Sequence, residues 1–595
     1  MADEKEKTES TEPTSDFIGP RERLKPVEPV EVEEAKAPEP EPEPEPEPSE
    51  PVGATRRQRF RRWYLMHKKI SIPATILILL LAIIAIPFTR YAVAGVFVSR
   101  DIQVQVLDSK TNAPVSEASV SAGDTSGVTS GTGYVTLQDV DVGPVIIKIA
   151  KKYYKEGELK VTVPVVMSAN SFSAKLVPTG RQAKIVVVDY ANQEALADVE
   201  IKIADIKAKT DRSGSAAVVL PVGPHEHSAE LGLEGYNTTN VTVIVSDTEV
   251  KQNDIKLTPA GRVYFLSNRS GAIDVMKTNL DGSDPKVVLA GTGSERPSST
   301  TLIASPDWKY LALLARRDGS KDKVYIITTS DDKLTTADEG SAEFALEGWA
   351  GDKLIYTVSR TDLSPWQTGA GKLKSYNAST GKVTTLDQTT GSGNVNSNVY
   401  EYYNFVYLSG DSVIYGKGWA TQSEDDADFT GKQETLSSIS ANGQDHKVVA
   451  SYDTATKKMD FAAHAPSAIY ILMTTQDSGA EEFFDYQVGS QPKAVTLTID
   501  DFYKNYPIYI SSPDGKRTLW TEVHDGKNVV TVGDSNGANA KVITQSDDYT
   551  SFGWFGDKYL LVSKDNSELG ITGLNNTPIQ TITSYQADTL YAKLR

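Results

Sequence analysis

Residues 512–544 carry the clearest fold signal in this chain, and they read SPDGKRTLWTEVHDGKNVVTVGDSNGANAKVIT. A tight Ser-Pro-Asp-Gly turn precedes an apolar strand, and a second turn leads into a β-branched strand. Units with this order recur at a spacing of roughly fifty residues. They begin at Gly261, Ser305, Gly348, Leu408, Ala465, Ser512 and Gly553. Repeats of this kind predict a seven-bladed β-propeller over residues 260–595, in which each blade buries its faces against its neighbours.

The turns of these repeats resemble those of the TolB-like propeller family. Residues 512–515 and 279–282 match the family's Ser-Pro-Asp-Gly and Asn-x-Asp-Gly turns, while 305–308 and 348–352 match less fully. The resemblance implies a protein-binding or scaffold role. The first unit lacks an inner strand before Gly261, so we expect residues 589–595 to close the ring, with six or eight blades as alternatives.

Two smaller repeats precede the propeller. Residues 102–150 and 184–245 both alternate apolar and polar positions, with a turn about every eight to twelve residues, which predicts antiparallel β-sandwiches. Residues 104–120 and 186–201 resemble the carboxypeptidase regulatory-like domain, a small immunoglobulin-like sandwich. Gly235 and Tyr236 match a late Gly-Tyr of that family, whereas the first repeat has Tyr153 and Tyr154. We assign the sandwiches to 98–179 and 181–259 and expect them to form a stalk, with adhesion as the alternative.

The N-terminal region predicts a membrane anchor. Residues 1–55 are acidic and proline-rich, with 17 acidic and 6 basic side chains among the first fifty, and are expected to be a disordered tail. A basic segment, 56–69, then precedes the uncharged residues 70–88, which are long enough to cross a bilayer as a helix. The basic flanking residues are Arg56, Arg57, Arg59, Arg61, Arg62, Lys68 and Lys69.

The position of these basic residues predicts the orientation. Because they lie before the apolar run, the N-terminus is expected in the cytoplasm and the C-terminus outside the cell, which makes this a single-pass protein of the cell membrane. Trp63 and Tyr64 are expected to be interfacial anchors, with anionic-lipid recognition as the alternative. Cleavage near Ala94, as in a signal peptide, is a second alternative to an uncleaved anchor.

Composition excludes several classes of function. A formal net charge of −18 argues against nucleic acid as a partner, because phosphate binding needs clustered Lys and Arg. The chain has no cysteine, so it forms no disulfide and offers no thiolate; for a long extracellular chain this favours a bacterial envelope. The acidic run at 423–434 only partly matches a calcium loop, because Ser437 stands where the loop requires Glu. We therefore predict no metal, no cofactor and no catalytic residue.

Two insertions indicate a binding face. Only the third and fourth repeats carry long insertions between their second and third strands, at residues 359–371 and 417–431. Equivalent loops of neighbouring blades emerge on one face of a propeller, and loops on a rigid scaffold are frequent binding sites. The candidate ligand-binding residues are Trp366, Trp419, Asp425, Asp426 and Asp428. The alternative is that both insertions are surface loops without function.

The sequence therefore predicts a membrane-anchored binding or scaffold protein of the bacterial envelope, with an all-β ectodomain that recognises an extracellular protein or glycan. We expect it not to be an enzyme. Two alternatives stay open: an envelope glycan lyase or hydrolase that uses propeller carboxylates, and a transmembrane receptor.

Overall fold

The structure is a computed structural model that describes residues 56–85, 98–165, 170–392, 399–422, 427–543, 549–564 and 568–584. The chain divides into two compact units, residues 1–85 and 86–595. The predicted tail, 1–55, lies outside the described residues.

Two helices make up the described part of the first unit. They are α1 (Arg56–Met66) and α2 (Lys68–Ala85), separated at His67. Helix α2 contains most of the predicted apolar span, and residues 86–88 lie outside the described residues. Across the described part of the chain, no helix combines the length and hydropathy needed to cross a membrane.

Residues 99–178 fold as a sandwich of two four-stranded sheets, with orders β4-β1-β8-β6 and β3-β2-β5-β7. Alternate residues of β1 are buried, because successive side chains of a strand point to opposite faces of the sheet. The strands are β1 (Ser99–Asp108), β2 (Ser119–Ala122), β3 (Thr125–Val128), β4 (Tyr134–Asp141), β5 (Gly143–Ala150), β6 (Tyr154–Lys155), β7 (Gly157–Val163) and β8 (Ser171–Pro178).

Residues 181–257 form a second sandwich, with sheet orders β12-β9-β15 and β11-β10-β13-β14. Its strands are β9 (Arg181–Asp189), β10 (Glu200–Ile203), β11 (Ile206–Lys209), β12 (Ser215–Leu220), β13 (Glu226–Gly232), β14 (Thr239–Ile244) and β15 (Lys251–Leu257). The prediction of purely antiparallel sandwiches is wrong in one respect, because β1 pairs with β8 and β9 pairs with β15 in parallel. The alternating pattern could not distinguish the two cases, because it is the same whether the first and last strands of a sandwich run in the same or in opposite directions.

Seven antiparallel sheets follow, one for each predicted repeat, and they establish a β-propeller. Six of the sheets have four strands in chain order, and the first has three among the described residues. The first three blades comprise β16 (Arg262–Ser267), β17 (Asp274–Asn279) and β18 (Lys286–Leu289); β19 (Thr301–Ala304), β20 (Tyr310–Ala315), β21 (Lys323–Thr328) and β22 (Lys333–Asp338); β23 (Ala342–Ala350), β24 (Lys353–Arg360), β25 (Gly371–Asn377) and β26 (Lys382–Gln388).

The other four blades follow in the same order. They comprise β27 (Val399–Ser409), β28 (Ser412–Thr421), β29 (Gln433–Ser440) and β30 (Lys447–Asp453); β31 (Lys457–Ala465), β32 (Ala468–Thr475), β33 (Glu481–Gln487) and β34 (Lys493–Val495); β35 (Ile510–Ser511), β36 (Arg517–His524), β37 (Lys527–Asp534) and β38 (Lys541–Val542); β39 (Tyr549–Phe555), β40 (Tyr559–Lys564), β41 (Glu568–Thr572) and β42 (Gln580–Ser584). A short helix, α3 (Ile499–Phe502), lies between β34 and β35 and is capped by Thr498.

The ring is closed by contact between its first and last blades. Residues of blades 1, 2, 6 and 7 share one hydrophobic core. Two tryptophans at equivalent positions join neighbouring inner strands: Trp349 Nε1 donates to Ile303 O over 3.4 Å, and Trp554 Nε1 donates to Ile510 O over 2.9 Å. Trp308 Nε1 donates to Trp554 O over 2.8 Å and so links blade 2 to blade 7. The strand predicted at 589–595 lies outside the described residues.

Candidate functional site: the propeller face opposite the sandwiches

The second sandwich meets the propeller through a buried carboxylate. Asp189, at the end of β9, is 1 % exposed. Its Oδ2 accepts hydrogen bonds from Tyr559 of the propeller over 2.6 Å and from Tyr236 of its own sandwich over 2.7 Å. Burial raises the pKa of Tyr559 and brings the pKa of Tyr236 to about 12, so both hydroxyls stay protonated and donate.

The two sandwiches meet through the equivalent carboxylate of the first. Asp108, at the end of β1, is fully buried, and its Oδ2 accepts from Gln182 Nε2 of the second sandwich over 2.7 Å. Tyr154 hydrogen-bonds to Asp108, as Tyr236 does to Asp189; burial, and then the charge of Asp108, raise the pKa of Tyr154. In both sandwiches, therefore, the first strand ends on an aspartate that binds a tyrosine of its own domain and a side chain of the next.

The sandwich contacts one end of the propeller blades. Thr258 Oγ1 donates to Asp281 over 2.6 Å, and Tyr190 donates to Thr581 O over 3.0 Å. Asp281 lies in the turn between β17 and β18, Thr581 lies in β42 just after the β41–β42 turn, and Tyr559 follows the β39–β40 turn. In a four-stranded antiparallel blade, the first-to-second and third-to-fourth turns lie at the same end. The second-to-third loops therefore lie at the opposite end, which we call the distal face. The prediction that Trp419 lies in an inserted loop is wrong, because β28 extends to Thr421 and Trp419 pairs with Glu401 of β27 near the distal end of that strand.

Trp366 and Trp419 are connected on the distal face through Ser392 and Lys432. Ser392 N donates to Trp366 O over 3.1 Å, and Ser392 O accepts from Lys432 Nζ over 3.3 Å. The Lys432 ammonium also lies 4.6 Å from the centroid of the Trp419 ring, within cation–π distance. Both indoles are half-buried, and Trp419 Nε1 donates to Gln433 O over 3.1 Å.

The acidic residues of the second insertion are described only in part. Asp425 and Asp426 lie outside the described residues. Asp428 Oδ1 accepts from Thr430 N over 2.9 Å, and the hydrogen bonds from Thr430 lower the pKa of Asp428. Asp428 therefore stabilises the turn that leads towards Lys432.

A buried ionic network supports the first insertion. Glu401 Oε2 accepts from Thr390 N over 2.6 Å and from Thr390 Oγ1 over 3.0 Å, and so fixes the segment that binds the backbone oxygen of Trp366. Lys417 Nζ lies 3.3 Å from Glu401 Oε1 and 3.2 Å from Asp387 Oδ2. All three charged side chains are mostly shielded from solvent, so each depends on the others for compensation.

The central channel holds a cavity of about 560 Å³, which we call the tyrosine cavity. It lies between the inner strands of blades 4 and 5 and the segment 503–509 that leads into β35. The hydroxyls of Tyr407, Tyr506 and Tyr509 donate to the backbone oxygens of other residues. Burial raises the pKa of all three and brings that of Tyr509 to about 12. Since their hydroxyls are occupied, these tyrosines offer mainly ring surface to a ligand.

The sequence interpretation did not identify this cavity. A usable signal was present, because residues 502–509 read FYKNYPIY and contain four aromatics within eight positions. Tyr503 and Ile508 are 64 % and 65 % exposed, which is unusual for large apolar side chains inside a propeller channel.

Three inner strands carry a polar residue at an equivalent bulge. The pairing with the second strand shifts by one residue around Glu347, Asn404 and His464. Glu347 lines the tyrosine cavity, and its Oε1 accepts from Thr357 over 3.0 Å. His464 Nε2 lies 3.0 Å from Asp485 Oδ1, and its ring stacks on Tyr470 with 3.6 Å between centroids. β-Bulges often redirect side chains at functional sites.

Two sequence and structural signatures, a nucleophile pentapeptide and a metal-ligand cluster, bear on catalysis by these blades. A Gly-x-Ser-x-Gly pentapeptide is present at residues 533–537, but it forms the hairpin turn between β37 and β38 and not the strand-to-helix turn of α/β-hydrolases. Within the described ranges, no three His, Asp or Glu side chains are grouped as metal ligands.

No protein-family model matches the chain, and no curated protein is similar to it. Similar solved structures include TolB from Acinetobacter baumannii, at 14% identity, covering 52% of this chain and 74% of that chain with a TM-score of 0.25. They also include an oligogalacturonate lyase from Vibrio parahaemolyticus, at 10% identity, covering 51% and 83% with a TM-score of 0.30. An acylaminoacyl peptidase from Pyrococcus horikoshii has 12% identity, covering 55% and 51% with a TM-score of 0.34.

The seven sheets define a β-propeller protein. The resemblance of the sandwiches to carboxypeptidase regulatory-like domains stays a prediction.

Proposed function

We propose that this protein is a membrane-anchored binding protein of the bacterial envelope, whose two sandwiches carry a propeller that recognises an extracellular protein or glycan. Its N-terminus lies in the cytoplasm, one helix within residues 70–88 crosses the membrane, and the all-β part lies outside. The carboxypeptidase regulatory-like sandwiches act as a stalk.

One observation carries the binding role. The second sandwich contacts blades 1 and 7 at the end opposite the distal face, through the Tyr559–Asp189 and Thr258–Asp281 hydrogen bonds. The two long insertions lie at the distal face. A stalk attached at one end leaves the other end accessible to a partner.

The chemistry of the distal face suits recognition. Trp366 and Trp419 supply aromatic surface on a support fixed by Lys432 and the Glu401 network. Half-buried aromatic residues on a rigid scaffold lose little conformational entropy on binding, and Trp is the residue type most enriched at binding hot spots. Both protein and glycan ligands can use such a surface.

The binding role is tested with the Trp366→Ala/Trp419→Ala variant of the full ectodomain. We expect its binding to whole cells and envelope extracts to fall by about tenfold or more, since hot-spot aromatics carry most of an interface's energy. Val222→Ala, at a side chain that is 73 % exposed on the second sandwich, is the matched control and should bind normally. Trp419→Phe keeps an aromatic ring but loses the hydrogen bond from Nε1 to Gln433 O, and it should therefore bind better than Trp419→Ala. Unchanged binding by the double variant would eliminate the distal-face site.

The topology is tested separately by adding protease to intact cells. We expect the sandwiches and the propeller to be digested and the N-terminal tail to be protected. Protection of the C-terminal two-thirds of the chain would contradict the proposed orientation.

A glycan lyase or hydrolase is a second candidate, and one observation favours it. Glu347 contributes a carboxylate to the tyrosine cavity, and the His464–Asp485 pair occupies the equivalent bulge two blades away. Activity against a polysaccharide panel that Glu347→Gln abolishes would establish an enzyme; no activity in the native protein would eliminate this candidate.

A further inference from the structure

The two N-terminal helices meet at a hydrogen-bonded bend. Ser71 Oγ donates to His67 O over 3.0 Å and to Tyr64 O over 2.8 Å. Residues seven apart in a straight α-helix are separated by about 10 Å along the axis, so the second bond requires the chain to bend at His67. Tyr64 and Thr75 are also joined through their hydroxyls over 2.8 Å. Ser71 is 3 % exposed at the inside of this bend.

Helix α1 presents one aromatic stripe. Phe60, Trp63, Tyr64 and His67 follow the i, i+3, i+4, i+7 spacing that places side chains on one face. The Phe60 ring lies 6.2 Å from each of the Trp63 and Tyr64 rings, and the Trp63 ring lies 5.4 Å from that of His67. Phe60 and Trp63 are 65 % and 51 % exposed, so the stripe has little protein packed against it in the described part of this unit.

Arginines flank this stripe on both sides. At 100° per residue, Arg57 and Arg61 lie on one side of it and Arg59 lies on the other, while Arg56 continues the stripe at the N-terminal end of α1. The arginine side chains are exposed, and α1 contains no acidic residue. An aromatic stripe bordered by arginines fits the boundary between headgroups and acyl chains, where Trp and Tyr rings settle and basic side chains reach anionic phosphates.

We propose that α1 lies flat on the cytoplasmic surface of the membrane and binds anionic lipid headgroups, turned into that plane by the bend at His67. The inference rests on the proposed membrane anchor. The acidic tail, residues 1–55, is the alternative binding partner for the same arginines of α1. We favour lipid because the tail could pair with the arginines but has few apolar side chains to cover Phe60 and Trp63.

The test measures which lipids surround the helix. Since the chain has no cysteine, Met66→Cys, at a side chain that is 74 % exposed, accepts a single donor dye. The full-length protein is placed in nanodiscs of phosphatidylcholine with about 20 % phosphatidylglycerol. Energy transfer is then compared between an acceptor dye on phosphatidylglycerol and one on phosphatidylcholine. We expect phosphatidylglycerol to be enriched roughly fivefold, and the enrichment to vanish near 1 M NaCl, where the Debye length is about 3 Å.

Two variants that each lose three positive charges are compared for phosphatidylglycerol enrichment. Arg57→Gln/Arg59→Gln/Arg61→Gln should abolish the enrichment, while Lys447→Gln/Lys493→Gln/Lys541→Gln, at exposed propeller positions, should preserve it. Equal transfer to both lipids from protein that has entered the discs would overturn this inference and leave the anchor intact. Enrichment that appears only after deletion of residues 1–50 would identify the tail as the occupant and also overturn it. Failure to enter the discs would contradict the anchor, and this inference with it.

Discussion

The hydroxyl of Tyr559 donates to Asp189 Oδ2 over 2.6 Å and joins side chains 370 positions apart in the chain. The carboxylate is almost fully buried, and its other oxygen accepts from the backbone nitrogens of Ala191 and Asn192. A single aspartate therefore fixes a turn of the sandwich and the position of the propeller together.

Tyr559→Phe tests this junction. We expect a loss of about 1.5–3 kcal/mol in the free energy of unfolding, because the bond is to a buried charge. Urea denaturation of residues 98–595 measures the change. Tyr190→Phe, at the same interface, removes a hydrogen bond to a neutral carbonyl and should cost about 0.5–1.5 kcal/mol. Equal losses in the two variants would show that the carboxylate has no special role.

Gly282→Ala tests closure of the ring. Gly282 has φ of +78°, and a Cβ there would lie 1.9 Å from Ile582 O in the last blade. We expect a loss of roughly 3 kcal/mol or more, because the backbone of two blades would have to separate. Gly515→Ala has a similar φ, +68°, in open space and should cost only the conformational penalty of about 1–2 kcal/mol. Unfolding of both variants in urea gives the difference, and a similar cost for both would argue against a tight contact.

Glu434→Gln tests a buried carboxyl between blades 4 and 5. Burial raises the pKa of Glu434 to about 7, while its Oε2 accepts from Met459 N over 2.6 Å. Because the folded state holds the proton more tightly, stability is highest below the unfolded pKa of 4.5 and falls as the pH rises towards 7. Between pH 5 and pH 8 we expect the wild type to lose on the order of 3 kcal/mol relative to the variant.

Unfolding curves at the two pH values measure this effect. Glu249→Gln, at an exposed position on the second sandwich, controls for the general loss of a negative charge. Parallel pH dependence of the wild type and Glu434→Gln would refute the proposed titration.

Lys417→Met tests the ionic network beneath the first insertion. The substitution leaves Glu401 and Asp387 without their shared cation, which should cost about 3–5 kcal/mol. Lys516→Met removes a surface partner from Asp514 and should cost less than about 1 kcal/mol. Thermal unfolding compares the two, and a small effect at Lys417 would mean that solvent already screens the network.

Much of the strand pattern was predictable from the sequence, because turns and alternating residues are local features. The repeated Gly-Trp-x-Gly-Asp-Lys segments, for example, place Trp349 and Trp554 at equivalent positions of two inner strands. The bulges at Glu347, Asn404 and His464 were not predicted, since a bulge depends on how two strands pair and cannot be recognised from the local sequence.

The candidate site was predictable to a smaller extent. The two insertions could be assigned to one face from blade equivalence. In the structure, Ser392 binds the backbone oxygen of Trp366 and accepts a hydrogen bond from Lys432, whose ammonium lies over the Trp419 ring. The orientation of that face away from the second sandwich could not be predicted, because it depends on contacts of Asp189 and Thr258 with residues far along the chain. Likewise, Tyr153 and Tyr154 could not be distinguished by sequence, whereas the structure shows that Tyr154 corresponds to Tyr236.

The parallel pairing of β1 with β8 and of β9 with β15 bears on how such a protein can evolve. Because the chain leaves each sandwich in the direction in which it entered, duplicating one unit in tandem would lengthen the column without reversing its course. The aspartate that ends each first strand would offer the new unit a ready attachment point. The distance from the start of the first sandwich to the propeller would thus change in discrete steps while the propeller itself stays the same.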